Sequence, residues 1–494
     1  MKRPADDDFD TRSTEEIRPN SPRMGSGSPL TPVSMTSPPW DGEQLRVLIV
    51  GCGFAGLSAA IACARQGFSV RVLDRAKEPS LHGDSIVLGA NAAKLLFRWG
   101  LGPEFLEKSS KGEWALCYDD FGLLVRKEDM RDSEVLYGAP RLQGHRAQFL
   151  EILRKEAERL GVEIQYDTEV VEYWDVPTCP AVVTKAEDII EADVVLICVR
   201  DFHFERKGDM QAVADGDTLQ DGVKSNGREL LEGSFLASQL TRMSEGYSVW
   251  RGVTKSDAFL KDDELSSFLD GNSRFWFGDD AHFTLSPLDN GRQVSFTFTH
   301  RDPKRRATTN TQDRRAIGEV LSLLEGWDPR LIRAVSLFKT AINWRVTEDE
   351  AAGDWVTSGG KIACLGDSVH PLLPTSYQGG SQSIEDGATL AIVLALVDGR
   401  DHSDIRLALR TYEQLRRNRV DMAQTLGVEQ RRAWHSFSKT HNPATLSFLG
   451  AELLEHDAER HAVIAFETTA QRLNDEFSLA PGRKHEVLTR LNIV

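Results

Sequence analysis

The sequence predicts an α/β fold: a parallel-sheet domain, a second, antiparallel sheet inserted into it, and helices at the C-terminal end. Three observations predict it. Residues 46–76 read as an apolar strand, a glycine turn, a helix of small residues and a second strand. Residues 361–397 read as a strand, a proline-punctuated loop and a long helix opened by a glycine pair. Between them, residues 235–350 alternate apolar and polar side chains at strand period, as in 246-GYSVWRGVT-254, 274-RFWFGDDAHFTLSPL-288 and 292-RQVSFTFTH-300.

Composition bounds the function. A chain of 494 residues with 40% hydrophobic side chains can build two to three ordinary domains. Residues 1–44 are the exception: Pro, Ser, Thr and Asp dominate there, and the segment is expected to be a disordered tail. A net charge of −16 with no basic patch argues against a nucleic-acid partner. Six scattered cysteines without a CxxC pair suggest neither a metal site nor a disulfide framework, and a reducing compartment fits them. The longest apolar run, Leu390–Val397, is too short to span a bilayer, and no apolar signal core opens the chain. The expectation is a soluble, cytoplasmic protein, monomer or homodimer, with a small-molecule substrate.

The first unit, 46-RVLIVGCGFAGLSAAIACARQGFSVRVLDRA-76, is a Rossmann-type fingerprint. Gly51, Gly53 and Gly56 make G-x-G-x-x-G: Gly51 allows a tight turn, Gly53 lets backbone amides approach a pyrophosphate, and the small residues Ala59, Ala60 and Ala62 follow on a helix that must pack closely on the sheet. The helix N-terminus supplies free N–H groups and partial positive charge. Asp74 ends the second strand, where a carboxylate accepts bonds from a ribose hydroxyl, and Arg75 stands beside it. NAD and FAD both offer such a ribose, so this unit leaves the choice open.

The second unit, 361-KIACLGDSVHPLLPTSYQGGSQSIEDGATLAIVLALV-397, carries G-D-x-x-H-P-x-x-P, a Q-G pair and E-D-G. In this it resembles the class A FAD-dependent monooxygenases, the flavoprotein aromatic hydroxylases that include salicylate hydroxylase. The resemblance implies that Asp367 binds the flavin ribityl chain and that the loop ending at Pro374 passes beside the isoalloxazine. Amides near Gly379 and Gly380 would then face the flavin pyrimidine edge, where a helix N-terminus stabilises the negative charge of the reduced ring. The family usually has a small residue where this chain has Tyr377. His370 is read as bracing the loop. The segment 141-RLQGHRAQFLEIL-153 resembles the family's H-R-x-x-L helix, whose Arg, here Arg146 with Gln148 behind it, reaches the cofactor. Asn91, in Gly89-Ala90-Asn91, is expected to organise the turn that follows Gly83.

One further family signature is a strand followed by A-D-G-x-x-S-x-x-R. Asp221 and Gly222 begin the matching stretch, but 22 residues, Val199–Gln220, separate them from the strand Asp193–Cys198. A polar surface loop is one explanation, since insertions cost little. A retained intron is the other and the preferred one: valine codons begin GT, glutamine can be CAG, and the segment is a whole number of codons.

The same resemblance places Arg251 where related phenol hydroxylases clamp a phenolate, the catalytic role assigned to it; an Arg on a solvent-facing strand is the plain alternative. Trp250 and His282 are weaker candidates. Residues 405–435, with Y-E-x-x-R-x-x-R, are expected to form a long helix with a solvated charged face. The implied organisation is a Rossmann-type FAD-binding domain over 45–234 and 351–435, an inserted substrate domain over 235–350, and a helical extension over 436–494. The implied reaction takes electrons from NAD(P)H, adds O₂ to the flavin, and transfers one oxygen to an aromatic, phenolic carbon. Epoxidation, oxidative decarboxylation and Baeyer–Villiger chemistry stay open, as do a non-catalytic Rossmann-type binding protein and an NAD-dependent dehydrogenase.

Overall fold

The computed structural model describes residues 44–79, 83–175, 179–199, 246–302, 313–345, 353–397, 401–446, 448 and 450–492. The N-terminal tail apart from its last residue, the insert after Val199, and Asp221 and Gly222 lie outside the described residues.

Strands are numbered along the chain. Five of them, β1 (Arg46–Val50), β2 (Ser69–Leu73), β7 (Glu163–Gln165), β11 (Val194–Ile197) and β18 (Ile362–Cys364), form a parallel sheet in the order β18-β11-β1-β2-β7. Val47, Leu48 and Ile49 are wholly buried, as the central strand of a sheet covered on both faces must be. Helix α1 (Phe54–Arg65) is apolar nearly all round because it lies between that sheet and the helix Gly379–Leu396. Their approach is close: a Cβ at Gly387 would stand 2.5 Å from the Ala59 amide nitrogen. A small sheet of β8 (Val170–Trp174), β9 (Ala181–Thr184) and β10 (Ile189–Glu191) flanks this domain, and β3 (Ser85–Leu88) pairs with β6 (Leu142–His145).

The second large sheet has eight strands. Its core is β12 (Tyr247–Lys255), β13 (Ser273–Gly278), β14 (Ala281–Leu288) and β15 (Gln293–Arg301), flanked by β16 (Asp313–Ala316) and β17 (Thr340–Arg345). The remaining two, β4 (Trp114–Asp119) and β5 (Leu124–Asp129), come from the segment assigned by sequence to the first domain. The β13–β4 pairing is parallel, so the sheet is mixed rather than antiparallel throughout. Local alternation identifies a strand but not which sheet it joins, and the β4–β5 hairpin reads the same in either place.

The register sorts the sheet's two faces. Trp250, Phe283, Phe296 and Phe298 pack against helices Gly318–Leu323 and Pro329–Ser336 through Val320, Leu331 and Val335. The opposite face carries Val249, Arg251, Thr297, Thr299, His282, Thr284, Ser286, Ser273, Phe275 and Phe277. Val249 meets Leu373 of the proline loop, which turns this face toward the glycine-bearing domain. The long helix His402–His435 spans both domains. Beyond it, Leu446 and Phe448 pack on Phe275 and Phe277, while helix Ala458–Leu473 packs on the helix Gly379–Leu396. The extension therefore touches the substrate sheet first and the cofactor domain second. Arg98 anchors it by pairing with Asp457 and Glu459 at 2.5 and 2.6 Å.

Candidate active site

The glycine turn between β1 and α1 has the shape that its residues require. Gly51 sits at φ +109°, a conformation that glycine adopts without strain, and its amide donates to Leu73 O at 2.8 Å. A Cβ at Gly56 would stand 1.9 Å from Gly51 O, so only hydrogen fits there. At Gly53, the N-cap of α1, a Cβ would meet no protein atom within 4 Å. That open space lies directly before the free amides of the helix, where a pyrophosphate would be held. Asp74 accepts the Cys52 amide at 2.7 Å through one oxygen and the Ala76 amide at 2.8 Å through the other. It thus braces the turn while standing half-buried at the end of β2; Arg75 next to it is exposed.

Arg146 opens the helix Arg146–Arg159, and its guanidinium carbon lies 5.2 Å from the Phe54 ring centroid. Two segments far apart in sequence thus meet at the mouth of the glycine turn. The Arg146 amide donates to Asp84 O at 2.9 Å. Gln148 donates instead to Asp289, at 3.2 Å, which ties this helix to the substrate sheet.

The second unit lies beside the first: β18 is two strands from β1, and its helix packs along α1. Leu365 N and Ser368 Oγ both donate to Ile197 O, at 3.0 and 2.8 Å, joining the end of β11 to the G-D turn. Asp367 is half-buried in the single turn Gly366–Ser368. His370 is wholly inside, with Nε2 2.6 Å from Asp386 Oδ2, the bracing role expected of it. Pro374 starts the turn Pro374–Ser376, which rests on the long helix where Thr375 donates to Gly427 O at 2.6 Å. Gly379 then opens its helix onto free space, for a Cβ there would touch nothing within 4 Å. Gly380 serves packing instead, since its Cβ would stand 2.9 Å from Leu88 and 3.0 Å from Ile86, so its bareness seats β3 against the helix.

Beneath this helix lies a buried charge cluster whose role the sequence reading missed. Arg416 pairs with Glu385 and, at 2.8 Å, with Asp386; Arg419 pairs with Glu385 at 2.9 Å, and Asn91 donates to Glu385 at 2.5 Å. Burial alone would raise the Glu385 carboxyl, but Arg416 and Arg419 hold it well below the usual carboxylate range. The R-x-x-R of the long helix is therefore not a solvated face. Two acids in an otherwise apolar helix were the available signal, since such acids need partners.

Arg251, on β12, pairs with Asp84, an acid the sequence reading passed over. The positive charge assigned to a phenolate clamp is thus already met by a carboxylate. Trp250 faces the other side of the sheet and donates to His300 at 3.1 Å. His282 lies on the cofactor-side face with Nδ1 2.7 Å from His435 Nε2. Burial pushes His282 down to about 3 and His435 to about 2, so the pair is neutral. Several buried polar atoms on or beside this face have no hydrogen bond among the described residues: Ser295 Oγ, Thr299 Oγ1, Trp434 Nε1 and His435 Nδ1. Among the described residues no cluster of His, Cys, Asp and Glu could hold a metal, and no helix is long and apolar enough to cross a membrane.

Two glycine-led helices packed side by side with their N-termini at the same end of a parallel sheet, together with a mixed sheet, define a flavin-binding oxygenase architecture. The comparisons agree. The family described as "FAD binding domain" matches residues 44–188. Asperlicin C monooxygenase of Petromyces alliaceus is 30% identical over 417 residues, covering 81% of this chain and 82% of that one. The FAD-dependent monooxygenase okaB of Penicillium ochrochloron is 26% identical, covering 89% and 94%. The chain belongs to the FAD-dependent monooxygenases. Its fold is that of CtdE crystallised with FAD and a substrate (TM-score 0.73, 23% identity, 87% of this chain and all of that one). It is also that of a salicylate hydroxylase substrate complex (TM-score 0.65, 18% identity, 85% and 98%). The open spaces at Gly53 and Gly379 and the acids Asp74 and Asp367 suit FAD, its cofactor.

Proposed function

We propose that this monooxygenase hydroxylates an aromatic, phenolic small molecule in fungal secondary metabolism, with NAD(P)H as reductant and O₂ as oxygen source. Reduced FAD, when bound, supplies the activated oxygen. The observation that carries the reading is the Arg251–Asp84 pair, set on the cofactor-side face of the sheet and joined through Asp84 O to the amide of Arg146. Arg251 then orients a ring oxygen by donating to it, while Asp84 keeps the guanidinium fixed and removes its excess charge. Phe275, Phe277, Trp434 and Phe448 form an apolar wall against which a planar ring can lie and from which water is excluded.

The test supplies FAD-loaded protein with NADH or NADPH, ¹⁸O₂ and a panel of phenolic aromatics, and follows products by mass spectrometry. One labelled oxygen on a ring carbon, with reductant consumed in equal amount, is expected. Label in an epoxide or a ring-expanded ester would move the reaction to those classes. Reductant oxidised with no labelled organic product from any phenol would sink the aromatic reading.

A further inference from the structure

Arg141 and Tyr377 are two residues on the same side of the sheet that have no role in the reaction proposed for this chain. Arg141 immediately precedes β6 and donates to Gln143 Oε1 at 2.8 Å; among the described residues no carboxylate meets it. The fully buried Arg71, Arg274, Arg416 and Arg419 each pair with an acid. Arg141 keeps some solvent contact, yet enough protein surrounds it that burial pushes its guanidinium down to about 10, which leaves it charged at neutral pH. A cation held this way without a counter-ion is costly unless a ligand completes it.

Its neighbours direct it at the substrate face. Gln143 donates to Ser273 Oγ at 2.8 Å, and Ser273 shares a bond with Ser286 at 3.0 Å; both serines lie on the cofactor-side face of β13 and β14. Tyr377 stands where the family resemblance leads one to expect a small residue. It adopts φ 52°, a strained choice for so large a side chain. It packs against the cluster of Phe275, Phe277 and Trp434 on the same face, where burial pushes its hydroxyl up and the Arg141 charge acts the other way. The Tyr377 ring lies 6.1 Å from that of Trp434, whose Nε1 is buried with no acceptor among the described residues. A guanidinium, a phenol and an indole N–H thus gather beside the aromatic wall, and together they lack one thing, an acceptor oxygen with negative charge.

We propose that Arg141 and Tyr377 form a recognition subsite for an anionic oxygen carried by the aromatic substrate, a carboxylate or an ionised phenol. This rests on the aromatic-monooxygenase reading and assigns its charge recognition to Arg141 rather than Arg251, whose charge Asp84 already balances.

The experiment titrates the FAD-loaded protein with 2-naphthoate, 2-naphthol and the neutral 2-naphthamide, reading the shift of the flavin absorption band. Wild type should bind 2-naphthoate about tenfold tighter than 2-naphthamide, the scale of one charge-assisted bond. R141M should erase that preference while leaving 2-naphthamide binding within about twofold, R141K should restore part of it, and Y377F should weaken the anion by less than R141M. Binding of 2-naphthol that tightens as pH rises toward its ionisation, with no preference for 2-naphthoate, would identify a phenolate as the source of the charge. Equal affinity for all three at every pH, a preference that survives R141M, or no response to any probe would overturn the subsite. Colourless protein would instead remove the monooxygenase reading itself, and the subsite with it.

Discussion

The two sides of the active site are finished to different degrees. Under the helix Gly379–Leu396, Glu385 and Asp386 are met by Arg416, Arg419, Asn91 and His370, so the buried charges there are matched within the chain. Across from it, the sheet face leaves Ser295, Thr299, Trp434 and His435 with unpartnered buried atoms, and Arg141 without an acid, among the described residues. A buried polar atom without a partner costs about 1–3 kcal/mol. Polar atoms unpartnered among the described residues occur on the cofactor side too, at Asn91 Oδ1, His370 Nδ1 and Gln378 Nε2, so the difference lies in charge. It teaches that the cofactor shell neutralises its buried ions within the chain, whereas the cation beside the substrate face is left to be met by what binds there.

The largest expected effect comes from breaking the finished side. Arg416→Met removes the cation that Glu385 and Asp386 share and leaves two buried carboxylates under-compensated, which should cost about 3–5 kcal/mol. Thermal unfolding of the purified protein checks it: a change in Tm no larger than that of an exposed control such as Arg472→Met would show that the cluster is not the support described.

The glycines separate packing from binding more finely. Gly56→Ala forces a Cβ into Gly51 O and should yield protein without flavin and with lowered Tm. Gly53→Ala meets only open space, so Tm without FAD should hold while FAD affinity falls about tenfold, or about 1.4 kcal/mol. Equilibrium dialysis with FAD beside unfolding curves distinguishes the two outcomes, and equal FAD affinity in wild type and Gly53→Ala would deny that the space before α1 receives the cofactor.

These contrasts also mark what could be read from the sequence. The β1–α1–β2 unit, Asp74, and the G-D loop were legible because their chemistry is local: a glycine turn, a strand and a helix N-terminus fall within about thirty residues. Arg146 was legible only through resemblance, since no periodicity brings it to Phe54. The long helix was misread because a charged stripe looks the same whether it faces water or two acids some thirty residues earlier; only the fold decides. Arg251 was legible as a position, but its partner Asp84 is 167 residues away in sequence, and the pairing changes its role. The hairpin β4–β5 joined the wrong domain for the same reason: strand pairing at long range leaves no mark in a local pattern.

On the unfinished side, Asp84→Asn should release Arg251 from its partner. Turnover with a phenolic substrate is expected to fall about tenfold to a hundredfold with flavin still bound, because the guanidinium loses its fixed position. Steady-state kinetics on yellow protein tests this. If kcat and KM match wild type, Asp84 holds nothing that the reaction needs.

The smallest effect is one of pH, and it tests whether the neutral histidine pair belongs to the substrate face as built. His282 and His435 have folded-state values of about 3 and 2, below an unfolded value of about 6.5. Between those limits the unfolded chain binds protons that the folded chain refuses, so stability rises with pH. The contribution is whole above about pH 6.5 and is lost as pH falls through the folded values. Each histidine adds a slope of up to about 1.4 kcal/mol per pH unit in that window. His145, His456 and His461 are also pushed down by burial and share the direction, so the double substitution His282→Asn, His435→Gln should flatten the acid limb only in part. Urea unfolding between about pH 5 and 6.5, above the range where carboxylates titrate, isolates the histidine contribution. An unchanged slope in the double variant would mean that the pair is already open to protons in the folded protein, and that this part of the sheet face is wetter than its burial implies.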